Sequence, residues 1–382
     1  MNQDIIDRCV AALEEEENLD AIIAMSPENF AYVTGFIVPS QPILRWRHAA
    51  AVITRDGRRA LFTVDMEATT VKDLEPGEDV HVWEEFEENA MPVLADLLRD
   101  LGLGSARIGL ETDYLPVRDM ERLVELVPDV RWEPCYPIFN RLRMIKTPRE
   151  LELMRKLARI TDRSIKEALE SVHAGDTEMD LAGAVTTNLF RYGAQNYKWL
   201  ILASGERSQF PNVGPTHRKL ERGDIVRLEV FGALDGYHTG ICRTAVVQEA
   251  STEVTEIWSN IVECRDLIWD GIRDGASGTS IHQKVMGQFA DLGWPPMAFV
   301  GHGIGLFVHE EPYIGKYGDA RLESGMVLGT EPVLLVPGAY GFQVKDIVSV
   351  GPDGCEILSD VTNTDRLLVI ESSARVAGFE QR

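Results

Sequence analysis

The N-terminal part of the chain alternates helix-like and strand-like patterns of hydrophobic residues. The apolar run at Asp20–Met25 predicts a short buried strand, and residues 49–64 predict a hairpin whose turn lies at 55–57. Helical spacing returns over 88–103 and is followed by a further strand at Arg107–Glu111. A first helix is indicated by apolar residues at helical spacing: Ile5, Ile6, Cys9, Val10 and Leu13. Alternation of this kind predicts an α/β domain.

A domain boundary is predicted where this pattern ends and a long helix begins. Thr147 suits an N-cap, Pro148 suits the first helical position, and Glu150 completes a capping box with Thr147. We therefore predict an N-terminal domain at residues 1–142 and a C-terminal domain at residues 143–382.

Strand patterns punctuated by glycine dominate the sequence after Asn196. Helices are predicted over Glu178–Tyr192, Ser251–Asp274 and Ser280–Leu292, before and between these strands. The C-terminal domain is therefore expected to be an α+β domain in which helices pack against a largely antiparallel sheet. Such a sheet can leave one face open, and we expect the functional site there.

Composition and charge narrow the range of functions. The chain has 382 residues, of which 45% are hydrophobic and 26% charged, as in ordinary globular proteins. A formal net charge of −23 would repel a phosphate backbone, so no nucleic-acid partner is expected. No apolar stretch reaches the roughly 18–20 residues of a membrane span, and the acidic, amphipathic N-terminus predicts no signal peptide. Five scattered cysteines indicate reduced thiols and a cytoplasmic location.

Four segments carry the candidate chemistry: Arg222–Thr244, Gly301–Pro312, Ser324–Gly338 and Gly341–Val348. They contain, in this order, the patterns RLEVFG, GHGIG with HEEP, TEP, and QVKD. This set resembles the superfamily of creatinase, prolidase and methionine aminopeptidase. The smaller α/β domain that precedes it resembles the creatinase and prolidase branch. The resemblance spans the whole chain and implies a pita-bread fold for the C-terminal domain.

The resemblance also implies a ligand set that this chain does not keep. Metallopeptidases of the superfamily hold two metal ions with two aspartates, one histidine and two glutamates. In order, these positions fall on Glu229, Gly240, His302, Glu331 and Lys345. Gly240 has no donor atom in its side chain, and Lys345 is a cation where an anion would bridge the two ions. We therefore expect no metal and no cofactor, although Glu229, His302 and Glu331 could still hold a single ion.

The metal-free creatinase branch implies how a substrate could be held. Arg47, in RWRHAAAV, corresponds to an arginine that in creatinase reaches the substrate carboxylate from the partner subunit, so a homodimer is implied. Guanidinium and carboxylate groups meet through two parallel hydrogen bonds. Asn212 and Tyr313 stand where creatinase has a catalytic histidine and a substrate-binding arginine. The candidate substrate-binding residues are Arg47, Trp46, Asn212, Tyr237 and Tyr313.

The candidate catalytic residues are two carboxylates, a lysine and two imidazoles: Glu229, Glu331, Lys345, His302 and His309. Glu229 and Glu331 are predicted on neighbouring strands that face one cavity, with Lys345 close by. Such groups titrate together, so one carboxylate can stay ionised while the other takes a raised pKa. Imidazoles suit proton transfer near neutral pH. Glu229 could act as nucleophile, base or anchor.

Structural roles stay open for several of these residues. Glu229 and Lys345 could simply neutralise each other as remnants of a lost metal site. Trp46 and Arg47 could form a solvated loop tip or a plain dimer contact. His238 is expected to be a packing or surface residue.

The function predicted from these residues is metal-independent hydrolysis of a C–N bond in a small, carboxylate-bearing nitrogen compound. A guanidino acid or a cyclic amidine such as ectoine would fit this description. Two alternatives stay open: a metallopeptidase of the Xaa-Pro dipeptidase or aminopeptidase type, and a non-catalytic binding protein with the pita-bread fold. The expected partners are a small-molecule substrate and a second copy of the chain.

Overall fold

The computed structural model describes residues 3–16, 18–87, 89–318 and 321–372. The chain divides into two compact units, Met1–Arg143 and Met144–Arg382. Each unit has its own hydrophobic core and is described by itself.

The first unit is a six-stranded mixed sheet flanked by helices. Its strands follow the spatial order β4-β3-β2-β1-β5-β6. They are β1 (Ala21–Ala24), β2 (Ala50–Thr54), β3 (Arg59–Val64), β4 (Val80–Trp83), β5 (Arg107–Leu110) and β6 (Arg131–Pro134). The helices are α1 (Gln3–Glu15), α2 (Pro27–Thr34), α3 (Asp65–Leu74), α4 (Ala90–Asp100), α5 (Val117–Leu126) and α6 (Tyr136–Met144).

The predicted hairpin and strands of this unit are confirmed. Strands β2 and β3 pair in antiparallel fashion, while β1 pairs with β5 in parallel fashion. Gly57 lies in the turn with φ at 81°, a left-handed conformation that glycine adopts without steric cost. The predicted start of the fourth helix, Glu88, lies outside the described residues, and α4 begins at Ala90.

The second unit packs four long helices on antiparallel strands. The helices are α7 (Pro148–Ser171), α8 (Glu178–Tyr192), α9 (Thr252–Gly271) and α10 (Gly278–Asp291). The strands are β7 (Asn196–Ser204), β8 (Ile225–Leu234), β9 (Tyr237–Val247), β10 (Phe299–Gly303), β11 (Glu310–Gly315), β12 (Val327–Thr330), β13 (Val333–Val336), β14 (Tyr340–Gln343), β15 (Asp346–Val350), β16 (Cys355–Ile357) and β17 (Leu368–Ile370). A short 3₁₀ helix at Gly205–Gln209 follows β7.

These strands form two larger sheets and a hairpin. One sheet has the order β17-β9-β8-β7, the other has the order β11-β10-β12-β15-β16, and β13 pairs with β14. Apart from the parallel pair of β17 and β9, the described pairings in this unit are antiparallel, as predicted. Helices α9 and α10 share a buried hydrophobic cluster with β10, β12 and β15.

The long helix α7 begins with the predicted capping box. Thr147 Oγ1 accepts from the backbone N–H of Glu150, and the Glu150 carboxylate accepts from the backbone N–H of Thr147. These contacts satisfy N–H groups that a helix start leaves without partners. Within the described ranges, no helix combines the length and the apolar character needed to cross a membrane.

Candidate active site

One face of β8 supplies the first residues of the candidate site. Arg227, Glu229 and Phe231 are separated by two positions each, and side chains at that spacing point to the same face of a strand. All three line a cavity of about 310 Å³ in the second unit. The cavity therefore lies over the open face of the β7–β8–β9 strands.

The backbone brings two further charged residues to this face. Glu331 directly follows β12, and its N–H donates to Val300 O in β10. Lys345 lies between β14 and β15, and its backbone exchanges two hydrogen bonds with Cys242 at 3.1 and 3.2 Å. Cys242 is the register partner of Glu229 across the β8–β9 pair. This pairing sets Lys345 beside Glu229.

Lys345 lies between two carboxylates in the cavity floor. Its Nζ is 3.1 Å from Glu229 Oε1 and 3.0 Å from Glu331 Oε2. The three residues are buried, with exposed fractions of 1% for Lys345, 4% for Glu229 and 7% for Glu331. Buried charges are stable only when they are paired in this way.

Gln343 joins the same network as a neutral donor. Its Nε2 donates to Glu229 Oε2 at 3.1 Å and to Glu331 Oε2 at 3.3 Å. Its Oε1 accepts from Arg227 Nη1 at 2.8 Å. Arg227 in turn donates to the backbone carbonyls of Ser208, Phe210 and Pro211. Gln343 thus orients both carboxylates. Arg227 links Gln343 to backbone carbonyls at the end of the 3₁₀ helix and in the loop that follows it.

The pairing fixes the charges of Lys345 and Glu331. Burial alone would lower the pKa of Lys345, but the carboxylates of Glu229 and Glu331 outweigh burial and raise it above 10.5. Burial alone would raise the pKa of Glu331, but Lys345 and His302 outweigh burial and lower it well below 4.5. Lys345 is therefore a cation and Glu331 an anion at neutral pH. The raised carboxylate pKa expected from the sequence is not found at Glu331.

Two histidines stack beside Glu331. The rings of His302 and His309 are 3.6 Å apart and nearly parallel. His302 Nδ1 lies 2.8 Å from Gly303 O, and a carbonyl only accepts, so Nδ1 carries a proton. His302 Nε2 lies 3.2 Å from Glu331 Oε1, but it makes no hydrogen bond among the described residues. His309 is exposed on one side, but the groups packed on its other side partly desolvate it, and this, together with His302 and Lys345, lowers the pKa of His309 to about 4, so His309 is neutral at pH 7.

Aromatic rings form the remaining walls. Trp199 and Phe231 stack with ring centroids 6.0 Å apart, and Lys345 Nζ lies 4.9 Å from the Phe231 ring centroid. Phe299 contacts the rings of His309 and Tyr313 edge to face. The cavity therefore combines apolar aromatic walls with a charged floor, a composition typical of ligand sites.

The structure brings some of the predicted substrate-binding residues to the cavity and places others elsewhere. Asn212 lines the cavity, whereas Tyr313 does not line it, and its ring centroid lies 6.3 Å from those of His302 and His309. Tyr237 does not line the cavity, because its hydroxyl donates to Glu150 Oε1 at 2.7 Å at the start of α7.

Trp46 and Arg47 lie in the first unit, where both bind one carboxylate. Trp46 Nε1 donates to Glu85 Oε1, and Arg47 donates to both Glu85 oxygens at 3.0 and 2.7 Å. Trp46 is half exposed, whereas the Arg47 side chain is only 17% exposed. The guanidinium of Arg47 thus already has a bidentate carboxylate partner within its own unit.

A pair of metal ions does not fit beside Lys345. Any ion bound between Glu229 and Glu331 would take the position of the ammonium or lie next to it. At an effective dielectric constant of ~20, two unit charges 4 Å apart interact by about 4 kcal/mol, so a divalent ion would be repelled by about 8 kcal/mol. The nitrogen and oxygen atoms of His302, His309 and Glu331 do lie within 4.8 Å of one another, but Lys345 is also in contact with this Glu331 carboxylate.

The position of the missing second aspartate is filled as well. A Cβ atom on Gly240 would lie 2.3 Å from Cε1 of Phe231, the residue opposite it in the β8–β9 pair. A carboxylate at position 240 would therefore meet the Phe231 ring. Because one ligand position holds an ammonium and another is blocked by a ring, the residues of this chain do not fit a two-metal centre.

Ten cavity residues were missing from the sequence-based candidates, and the five of them that are polar or aromatic are Trp199, Arg227, Phe231, Phe299 and Gln343. The spacing from Glu229 was a usable signal for Arg227 and Phe231, since both lie two positions from it on one strand. Gln343 lies two positions before Lys345, but its role depends on contacts with β8 that no local pattern shows.

Several curated relatives of this chain are named as dipeptidases. It is 25% identical over 363 residues to a Xaa-Pro dipeptidase of Pyrococcus furiosus, covering 93% of this chain and 97% of the relative. It is 33% identical over 257 residues to the probable dipeptidase PepE of Mycobacterium tuberculosis, covering 66% of this chain and 68% of the relative. The crystal structure of the X-Pro aminopeptidase of Thermotoga maritima superposes with a TM-score of 0.82 at 25% identity, covering 96% of this chain and 99% of that one.

These findings correct the function predicted from the sequence. The prediction of a metal-independent hydrolase for a guanidino acid or a cyclic amidine is wrong, because the relatives and similar structures are named Xaa-Pro dipeptidase, prolidase or aminopeptidase. Those names favour the peptidase alternative. The predicted fold class, an α/β domain followed by a pita-bread domain, is confirmed by the structural match over nearly the whole chain.

Family models match both parts of the sequence. The Creatinase/Prolidase N-terminal domain matches residues 6–145, and the metallopeptidase family M24 model matches residues 152–352, which is more than half of the chain. The cavity described above is formed by residues within the second match. The chain therefore belongs to metallopeptidase family M24.

Proposed function

We propose that this chain hydrolyses the peptide bond of Xaa-Pro dipeptides in the cavity of the second unit. The observation that carries the proposal is an aromatic-walled cavity of about 310 Å³ whose floor holds two buried carboxylates, in a chain whose relatives are named Xaa-Pro dipeptidases. This volume lies at the small end of the ~300–1,000 Å³ range of ligand pockets, which suits a dipeptide better than a longer peptide.

The charged floor of the cavity favours binding of the N-terminal ammonium group of a peptide. Glu229 and Glu331 carry two negative charges against the single positive charge of Lys345. Arg227 donates to Gln343 and to backbone carbonyls and contacts neither carboxylate, so Lys345 is the one ammonium or guanidinium in contact with the two carboxylates among the described residues, and a ligand cation can pair with the remaining negative charge. An N-terminal ammonium would complete this pairing, because a buried carboxylate gains most from a charged donor.

The walls favour a proline ring. The rings of Trp199, Phe231 and Phe299 face the cavity and offer flat apolar surfaces. A pyrrolidine ring has no N–H group in a peptide bond and buries its carbon atoms without leaving a donor unpaired. A Xaa-Pro dipeptide thus matches both the charged floor and the apolar walls.

The chain supplies two groups to the reaction itself. The ammonium of Lys345 has three N–H donors, two of which point to carboxylates, and the third can stabilise the oxyanion that forms when water adds to the peptide carbonyl. His309 is neutral at pH 7 and can accept the proton of the attacking water and return it to the proline nitrogen as the C–N bond breaks. No step is assigned to a metal ion, because the two-metal ligand set does not fit.

The test is a hydrolysis assay on a matched set of peptides. Ala-Pro, Pro-Ala, Ala-Ala and N-acetyl-Ala-Pro would be incubated with the protein, and free proline or alanine would be measured, with manganese, with zinc and with chelator. We expect cleavage of Ala-Pro, with little cleavage of Pro-Ala and of the acetylated peptide, which lacks the ammonium.

Two variants sharpen this assay. Glu331→Gln should lower kcat/KM for Ala-Pro by at least tenfold, because it removes the unbalanced floor charge, whereas Glu256→Gln on the exposed side of α9 should leave it unchanged. If calorimetry shows that Ala-Pro binds but the assay shows no cleavage, the protein is a peptide-binding protein and not a hydrolase. If no peptide of the set binds or reacts, the proposal is wrong.

The oligomeric state and cellular location also belong to this proposal. We keep the homodimer, in which Arg47 completes the partner subunit's pocket, as a prediction that rests on the resemblance to creatinase. A cytoplasmic location stays a prediction too. Its support is that the five cysteines are free, four of them buried.

A further inference from the structure

We propose that Lys345 and Phe231 take the place of a pair of divalent ions in this cavity, so that an internal ammonium holds Glu229 and Glu331 together and the site excludes metal. This inference does not depend on which peptide the protein cleaves. It concerns what occupies the centre of the site, and metal binding and stability can test it without an activity assay.

Both the main chain and the side chain of Lys345 are held in place. Two backbone hydrogen bonds to Cys242 fix its main chain, and its carbonyl also accepts from Arg243 Nη1 at 2.9 Å. The stem crosses in front of Gly329, where a Cβ atom would lie only 3.2 Å from Lys345 Cε. The missing side chain at Gly329 therefore leaves room for the lysine side chain to extend to the two carboxylates.

Phe231 blocks a second ligand position from the neighbouring strand. Its ring is 2% exposed and covers the space that a side chain at Gly240 would need. Lys345 Nζ lies 4.9 Å from the centroid of the same ring, which is a cation–π contact. A metal-binding side chain in place of the Phe231 ring would remove this contact. Gly240 thus leaves room for the Phe231 ring, and the ring in turn contacts the Lys345 ammonium.

Gln343 adds further donor contacts, on the second oxygen of Glu229 and on the same Glu331 oxygen that Lys345 contacts. Its amide nitrogen donates to one oxygen of Glu229 and one of Glu331. Lys345 and Gln343 together supply four donor contacts to the two carboxylates. Metal ions would need the same lone pairs, so binding a pair of ions means breaking this network.

The first experiment uses the unaltered protein. After removal of metal by chelator and dialysis, the protein is equilibrated with excess manganese, cobalt or zinc and desalted, and bound metal is measured by elemental analysis alongside Tm. We expect clearly less than one ion per chain and the same Tm with metal and with chelator. Stoichiometric metal that is lost in His302→Gln, with a Tm that falls in chelator, would overturn the inference, whether one ion or two is bound.

The second experiment rebuilds the ligand set. The variant Lys345→Glu, Gly240→Asp, Phe231→Ala has five metal-binding side chains and the space they need. We expect it to be less stable than the unaltered protein without metal, since its carboxylates repel one another, to bind manganese stoichiometrically, and to gain several degrees in Tm from it.

A charge-matched control separates local from general effects. Lys284→Glu makes the same charge change as the Lys345→Glu component, but on the exposed surface of α10, and should acquire no manganese-dependent Tm shift. A folded triple variant whose metal content and Tm do not respond to manganese would contradict the inference. If the triple variant does not fold, the measurements on the unaltered protein decide the question alone.

Discussion

At the scale of single residues, Lys345 decides the electrostatics of the site. It is 1% exposed and is the only cation in direct contact with Glu229 and Glu331 among the described residues. Its pKa is raised because charged neighbours outweigh burial. The same neighbours would become two uncompensated buried anions if the ammonium were lost.

Lys345→Met should therefore be strongly destabilising. Removing one partner from a buried ion pair costs about 3–5 kcal/mol, and methionine keeps the length of the side chain but not the charge. Urea denaturation at pH 7 would measure the loss. The matched control, Lys284→Met on the surface of α10, should change the free energy of unfolding by no more than about 0.5 kcal/mol. Equal effects of the two variants would show that the buried ion pairs contribute nothing.

His238 makes a separate, pH-dependent contribution at the residue scale. Burial lowers its pKa from 6.5 to about 4, and its Nδ1 faces Gly305 O at 3.3 Å. The unfolded chain binds a proton below pH 6.5 that the folded chain binds only near pH 4. This contribution is therefore present above pH 6.5 and is lost as the pH falls towards 4.

His238→Gln should flatten this part of the stability curve. Between pH 7 and pH 5, the free energy of unfolding of the unaltered protein should fall by about 2 kcal/mol more than that of the variant, which does not titrate there. Guanidinium denaturation at the two pH values gives the four free energies needed. Parallel pH dependence in both proteins would mean that His238 is not held neutral by the fold.

At the scale of elements, the β8–β9 pair explains why position 240 is a glycine. The facing residue in the register is Phe231, whose ring occupies the space above Gly240. Gly240→Ala should cost about 1–3 kcal/mol, because the added methyl group overpacks a closed contact. The cost should shrink when Phe231→Leu makes room.

A double-mutant cycle measures that coupling. Unfolding free energies of Gly240→Ala, Phe231→Leu and the double variant should show a favourable interaction of about 0.5–3 kcal/mol. Gly183→Ala in α8 is the control glycine, since a Cβ atom there has no neighbour within 4 Å. Strict additivity would show that the ring adjusts freely and does not close position 240.

The elements themselves were largely predictable from the sequence, because their signals are local. The capping box at Thr147 and Glu150 and the bounds of α8 follow from residues within one or two helical turns. Glu229 and Glu331 do line one cavity, but they are not on neighbouring strands as predicted: Glu229 lies in β8 of one sheet, and Glu331 follows β12 of the other. The α/β and α+β classes of the two domains followed from the order of such elements, whereas the pita-bread fold was implied by the resemblance to the creatinase and prolidase superfamily.

The contacts inside the cavity were less predictable, because they join elements far apart in the sequence. The sequence shows that Gly240 carries no donor, but only the register shows Phe231 in its place. The link from Arg227 through Gln343 to both carboxylates spans 116 positions. Tyr237 was expected at the substrate and binds Glu150 instead, because its strand begins beside the start of α7.

At the scale of the whole molecule, this chain keeps the family architecture and departs from the family at its centre. It matches relatives over more than nine tenths of its length at 25% identity, and both family models are found. The departure from the ligand set that the resemblance implies lies at Gly240 and Lys345. The fold can accept this change at the site because the hydrophobic cluster around α9 and α10 lies outside the cavity. The buried charges of the site still pair with one another within the cavity.

The homodimer is the prediction that belongs to this scale. Sedimentation velocity at micromolar concentration should show a single species with the mass of two chains. Arg47→Ala should raise KM for Ala-Pro at least tenfold with little change in kcat, because the substrate carboxylate loses a bidentate partner. Arg58→Ala, at an exposed pair with Asp56, is the matched control and should change neither constant.

Glu85 separates substrate binding from a structural role of Arg47. Glu85→Gln weakens the same pair from the other side but keeps the guanidinium, so it should leave KM unchanged or lower it by freeing Arg47. If Glu85→Gln raises KM as much as Arg47→Ala does, the arginine acts only by holding its own loop. A monomer in sedimentation would remove the partner subunit from the site, because Arg47 could then reach no second chain.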